Sequence, residues 1–131
     1  MWLEVEKNQR LFVIGGIYRH PGPPPSAFIE KLEKSLDTLK NENKTVILCG
    51  DINIDLLHPN KPATKQYTDA LFSVNIIPCI TLPTRITDHS ATLIDHINIP
   101  RPIQHIEDNI ISGNLFLGIA DHLPNFIYFI Q

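Results

Sequence analysis

The stretch Thr45-Val46-Ile47-Leu48-Cys49-Gly50 constrains the fold more than any other part of the chain. It is short, apolar and β-branched, it shows no polar–apolar alternation, and a glycine closes it. That pattern predicts a strand buried on both faces. A strand of this kind needs cover on each side, and the flanking sequence offers it.

Upstream, Leu3 and Val5 alternate with Glu4 and Glu6, a polar turn follows at 7–10, and residues 11–17 are apolar. This reads as an antiparallel hairpin. His20-Pro21-Gly22-Pro23-Pro24-Pro25 then interrupts regular structure. Ser26 is the expected N-cap of a helix of about four turns, with Phe28, Leu32, Leu36 and Leu39 at helical spacing. Residues 41–44 form a polar connection and residues 51–62 a loop. Thr64 is the expected cap of a second helix carrying Tyr67, Ala70, Leu71 and Val74. Residues 76–79, 93–99, 103–111 and 125–131 are expected strands. Strand–strand–helix–strand–helix followed by strands predicts α/β architecture, a mixed sheet with helices on one face.

At 131 residues the chain is expected to be a single domain, 1–131, cut close to its core at both ends. Eleven prolines agree with many turns, and 43% apolar content argues against long disorder. Eleven basic against 14 acidic residues, a net charge of −3, argue against nucleic-acid binding by basic charge alone. The apolar runs fall far short of the about 20 residues a membrane span needs, so no membrane partner is expected. No secretory signal is visible. Cys49 and Cys79 each sit in an apolar run and read as free thiols of a reducing compartment. The expected location is intracellular, nuclear or cytoplasmic. The absence of any CxxC pair, and of ligand spacing around His89 and His96, argues against zinc.

Four groups of residues could carry chemistry. Asp51 and Asn53 follow the buried strand and share a side in extended chain. They stand where open α/β sheets bind ligands. A carboxylate there can accept a proton from water or bind a divalent ion, and an amide can hold the water or a phosphate oxygen. The same residues equally suit a strand-ending turn. Asp121 and His122 pair an acid with an imidazole before the last strand, as a site or as a polar loop. Asp95 stands in an apolar strand, where it needs a partner such as a distant His, unless it faces outward on an edge. Tyr18 and Arg19 end the second strand, where phenol and guanidinium can meet phosphate.

Together these motifs resemble the endonuclease/exonuclease/phosphatase family, and more narrowly the endonuclease domain of non-LTR retrotransposon polyproteins. Ile17-Tyr18-Arg19 with its prolines resembles the family's tyrosine-bearing strand end. Ile47-Leu48-Cys49-Gly50-Asp51-Ile52-Asn53 resembles its Gly-Asp-Phe-Asn motif. Pro83-Thr84-Arg85 and Ser90-Ala91-Thr92-Leu93-Ile94-Asp95-His96-Ile97 resemble a retrotransposon-type segment, and Ala120-Asp121-His122-Leu123-Pro124 its Ser-Asp-His-x-Pro ending. The pieces keep the family's order over residues 17–124.

The resemblance implies a four-layer α/β sandwich of two mixed sheets flanked by helices. It implies hydrolysis of a phosphate ester with magnesium, manganese being an alternative ion. By the same resemblance, Asp51 activates the attacking water, and Asn53 positions that water or the phosphate. His122 contacts the scissile phosphate and Asp95 hydrogen-bonds His122. Asp121 sits at the metal or polarises the site, and Tyr18 stabilises the phosphate or the leaving oxygen. Such a division of labour suits phosphoryl transfer, which is mainly positioning and charge neutralisation.

Ile52 stands in place of the family's Phe, and Ala120 in place of Ser. The family's principal metal-binding Glu and an early Asn lie upstream of the segment that begins at Trp2, and no Glu here fits that role. The chain is thus expected to be the C-terminal part of the domain, with its N-terminal part missing and an apolar sheet face exposed. A weak or absent DNA endonuclease activity follows. The alternatives are a non-catalytic remnant or interaction module, and a phosphatase acting on small phosphate esters. Expected partners are DNA, met by a cluster of Arg19, Lys61, Lys65 and Arg85, and the missing N-terminal part or a reverse-transcriptase region.

Overall fold

The computed structural model describes residues 1–7, 9–42, 44–101 and 110–130. The chain opens with β1 (Trp2–Lys7) and β2 (Arg10–Tyr18), an antiparallel hairpin as the alternation predicts. Helix α1 (Pro25–Asn41) then crosses over, so that β3 (Thr45–Asp51) lies parallel to β2. Helix α2 (Pro62–Ser73), β4 (Ile76–Pro78) and a small hairpin, β5 (Arg85–Thr87) with β6 (Ser90–Thr92), follow. Strand β7 (Asp95–Pro100) returns to the main sheet, and β8 (Ile110–Asn114) pairs with β9 (Asn125–Phe129).

The main sheet has the order β1-β2-β3-β7-β4, with β3 at its centre. Its two faces are buried against different partners. Val46 and Leu48 of β3 pack with Ile29, Leu32 and Leu36 of α1 and with Tyr67 and Leu71 of α2. Ile47 and Cys49 point the other way and pack with Ile97, Ile99, Ile110, Ile127 and Phe129, under the β8–β9 ladder. The non-alternating run is therefore buried on both faces as predicted. The layers run helices, five-stranded sheet, two-stranded sheet. Beyond the β8–β9 ladder, Leu3 and Val5 remain exposed on β1, at 54% and 36%.

Local corrections have local causes. Helix α1 starts at Pro25, with Pro24 at the cap position and no side-chain cap, so Ser26 lies inside the first turn. Proline is pre-set for the first helical position, and here it takes the start. Thr64 likewise lies inside α2, which begins at Pro62; its Oγ1 donates to the Asp55 carbonyl at 3.1 Å instead of capping. The strand expected at 93–99 begins only at Asp95. Of the strand expected at 103–111, residues 103–109 lie outside the described residues, and Ile110 and Ile111 belong to β8. The β5–β6 hairpin is not evident in the sequence; it is closed by Thr87 and Ser90, whose hydroxyls lie 2.9 Å apart. Both cysteines are free thiols, and burial pushes Cys79 up to about 11. No helix among the described residues is long and apolar enough to cross a membrane.

Gly50 lets β3 run on to Asp51. Its φ of +141° lies where side chains are rarely tolerated, and a Cβ would collide with the Ile17 carbonyl of β2. The two strands can stay paired to their ends only with glycine here. That pairing brings Tyr18 and Asp51 side by side.

Candidate active site

Three strand ends form one row. Tyr18 is the register partner of Asp51 across the parallel β2–β3 pair, and Asp51 is the partner of Asp95 across the antiparallel β3–β7 pair. His122 arrives from the segment before β9, which is bridged to β5 through Arg85. Its Nδ1 lies 3.0 Å from Asp95 Oδ2 and 3.2 Å from Oδ1. A carboxylate accepts only, so Nδ1 carries the proton, and Nε2 of the neutral ring is left as an acceptor. The hydrogen bond expected between Asp95 and His122 is thus present.

Asp51, Asp95 and His122 each offer one ligand atom, and the three atoms lie within 4.8 Å of one another. Burial, and then the facing Asp95 charge, raise the Asp51 carboxyl above its usual value; the Asn53 amide and His122 only partly offset this. Two carboxylates held together this way, beside an imidazole, fit a divalent cation that takes one or two carboxylates and fills its shell with water and phosphate.

Asn53 sits in the left-handed region at φ +53°, which Asn tolerates better than most residues. Its backbone N–H donates to Asp51 Oδ1 at 3.2 Å, and its Nδ2 donates to the Arg19 carbonyl at 2.8 Å. It thereby fixes the turn that presents Asp51. Tyr18 is 68% exposed and open to solvent beside Asp51.

Two expected contacts are placed differently. Arg19, expected at phosphate, is 7% exposed and turned inward. Its Nε donates to the Ile52 carbonyl at 2.7 Å and its Nη2 to the Asn53 carbonyl at 2.8 Å. Its Nη1 serves the carbonyls of Pro23 and His20, at 3.0 and 3.1 Å. The cause is the proline-rich loop and the turn after β3, whose His20, Pro23, Ile52 and Asn53 carbonyls lie outside the strand ladders; a guanidinium brings five donors to them. Asp121, expected at the metal, lies outside the Asp51–Asp95–His122 group. It is an exposed ion-pair partner instead, accepting from Arg85 Nε at 2.9 Å, and that contact holds its carboxyl below the usual range. Arg19 and Arg85 are thus both engaged within the chain.

Residues that the sequence did not mark hold the site together. Asp55 accepts from the amides of Leu93 and Leu57 and contacts His58 Nδ1 at 2.6 Å. It ties the loop after β3 to the approach to β7. Thr84 is fully buried, and Asn125 reaches the Asp95 carbonyl at 2.9 Å. The only sequence signal for Thr84 is its place in Pro83-Thr84-Arg85; Asn125 reads simply as the start of an apolar strand. An apolar hollow bounded by Leu117, Ile119, Leu123 and Pro124 opens beside His122.

No protein-family model and no curated protein matches this sequence. Solved structures do. The endonuclease domain of TRAS1, a telomere-specific non-LTR retrotransposon, matches with a TM-score of 0.77 at 13% identity, over 98% of this chain and 60% of that one. An endonuclease/exonuclease/phosphatase family protein from Leptotrichia buccalis C-1013-b matches with a TM-score of 0.60 at 13% identity, over 99% and 53%. The human Nocturnin catalytic domain, solved with a bound sulfate anion, matches with a TM-score of 0.54 at 16% identity, over 98% and 51%. The chain spans about half to three-fifths of the length of these structures. The chain therefore has the endonuclease/exonuclease/phosphatase fold, with the row Tyr18–Asp51–Asp95 and His122 at the end of its central strands.

Proposed function

We propose that this chain carries the phosphate-cleaving residues of a metal-dependent phosphodiesterase acting on DNA. The observation that carries the reading is the Asp51–Asp95–His122 group, with His122 Nδ1 hydrogen-bonded to Asp95. The match to an endonuclease domain over nearly the whole chain supports a nucleic-acid substrate.

In this reading, Asp51 accepts the proton of the attacking water. Asp95 fixes the tautomer and orientation of His122, whose Nε2 side faces the phosphate once protonated. Asn53 and Arg19 hold the Asp51 turn. Tyr18, exposed next to Asp51, donates its hydroxyl to a phosphate or leaving oxygen. Asp51 and Asp95 would hold magnesium or manganese, which supplies charge neutralisation on the non-bridging oxygens when bound.

A non-catalytic module is the second reading. No Glu among the described residues joins the acidic group, and the chain spans 60% of the TRAS1 domain. Plasmid nicking by this chain, with and without magnesium, separates the two. Magnesium-dependent conversion of supercoiled to open-circle DNA, lost in Asp51→Ala and His122→Ala, is expected for the enzyme. A folded chain that nicks nothing points to the module. Release of phosphate from a small ester without nicking moves the assignment to a phosphatase.

A further inference from the structure

Thr84 bonds the main chain at Asp95 and at Leu123, the residue after His122. Its side chain is 0% exposed. Its Oγ1 accepts from the backbone N–H of Asp95 at 2.9 Å and of Ile94 at 3.1 Å. Its own N–H donates to the Thr92 carbonyl at 2.8 Å, and its carbonyl accepts from the Leu123 N–H at 2.6 Å. One residue therefore grips the start of β7, which carries Asp95, and the peptide next to His122.

Asn125 also holds the Asp95 main chain. Its Nδ2 donates to the Asp95 carbonyl at 2.9 Å. It stands three residues after His122, at the first position of β9. The Asp95 main chain is thus held at its N–H by Thr84 and at its C=O by Asn125, and both residues are tied to the His122 segment. Replacing either would leave Asp95 and His122 present but free to drift in register.

We propose that Thr84 and Asn125 are positioning residues that form a two-point clamp on Asp95 and so set its hydrogen bond to His122. The inference rests on the reading of that pair as part of the reacting site. It concerns, however, a hydrogen bond that can be observed without metal or substrate.

A buried hydroxyl that only filled space would be replaced without consequence by an isosteric methyl. Thr84→Val keeps the shape and removes the acceptor, Thr84→Ser keeps the acceptor, and Asn125→Ala removes the other grip. The readout is the pair of His122 ring-nitrogen NMR shifts in metal-free protein at a pH where the imidazole is neutral. Wild type should show a protonated Nδ1 and an unprotonated Nε2, two well-separated signals. In Thr84→Val and Asn125→Ala the signals should move toward each other, as the ring samples both tautomers. Thr84→Ser should restore the wild-type pattern. Manganese affinity, read by water-proton relaxation, should fall roughly 10–100-fold in the same variants, as for other groups that orient metal ligands.

Folded Thr84→Val and Asn125→Ala proteins that keep the wild-type tautomer would overturn the proposal, whatever their melting temperatures. Should Thr84→Val fail to fold, Asn125→Ala decides alone. Loss of manganese binding and of nicking by the wild-type chain, with the tautomer pattern behaving as described, would sink the functional reading and leave the clamp standing.

Discussion

Asp51 and Asp95 are register partners across the β3–β7 pair, two carboxylates presented side by side at the end of a buried sheet. The arrangement costs stability whenever both are charged and no cation sits between them. Burial and the Asp95 charge raise the folded-state value of Asp51 above its unfolded value. A group raised in this way contributes stability below its unfolded pKa and loses it as pH rises through the folded one. Above that window Asp51→Asn removes a repulsion. We therefore expect Asp51→Asn to raise the melting temperature at pH 7 without metal, by on the order of 1–3 °C. It should also abolish the further rise that manganese gives the wild type. A lowered melting temperature in metal-free buffer would contradict this.

Asp55 behaves in the opposite sense. Burial raises its carboxyl, but hydrogen bonds from the Leu93 amide, His58 and the Leu57 amide outweigh that and leave it below the usual value. A group lowered on folding contributes stability above its unfolded pKa, about 4, and loses it as pH falls through the folded value. Asp55→Asn should cost about 1–2 kcal/mol at pH 7. The gap between variant and wild type should close as pH falls below about 4. Urea titrations from pH 7 down to pH 3 check this; a gap that stays constant across the range would assign the loss to packing instead.

Much of the frame was legible because it depends on local pattern. The run at 45–49 could only be a two-face strand, and the α1 and α2 spacings gave their buried sides correctly at Leu32, Leu36, Tyr67 and Leu71. Asp51 was legible from its place after that strand. What stayed hidden depends on contacts between distant residues. Arg19 beside a run of prolines reads as surface, yet its fork is drawn in by carbonyls 33 and 34 residues away. Asp121 reads as a ligand beside His122, yet Arg85, 36 residues earlier, takes it. Thr84 carries no sign of being fully buried, because the two amides it satisfies belong to a strand start that pattern alone put two residues too early.

Tyr67, His96 and Asn98 form a buried polar group between α2 and the sheet. The Tyr67 hydroxyl lies 3.2 Å from His96 Nδ1 and accepts from Asn98 Nδ2 at 3.0 Å, while His96 Nε2 is 3.2 Å from the Leu93 carbonyl. Burial lowers the His96 pKa, keeping the ring neutral in the core. Tyr67→Phe leaves the Asn98 amide without its acceptor and His96 Nδ1 without its donor, and should cost about 1–3 kcal/mol in a urea titration. The effect should be on stability, since the group lies on the helix side of the sheet. Nicking per folded molecule should be unchanged; a specific loss would place the group in the site.

Arg19 offers the sharpest contrast between a brace and a phosphate contact. Its guanidinium serves four carbonyls, two on the turn that carries Asn53 and two on the proline-rich loop. A lysine ammonium keeps the charge but cannot span that fork. As a brace, Arg19→Lys should lower stability by about 2–3 kcal/mol and weaken manganese binding by loosening the Asp51 turn, with the salt dependence of DNA binding unchanged. As a phosphate contact, Arg19→Ala and not Arg19→Lys would reduce the slope of log affinity against log salt by about one, and Arg19→Lys would melt like wild type. Thermal melts of both variants, alongside DNA-binding isotherms at several salt concentrations, separate the outcomes. A guanidinium this deeply buried gives the first pattern.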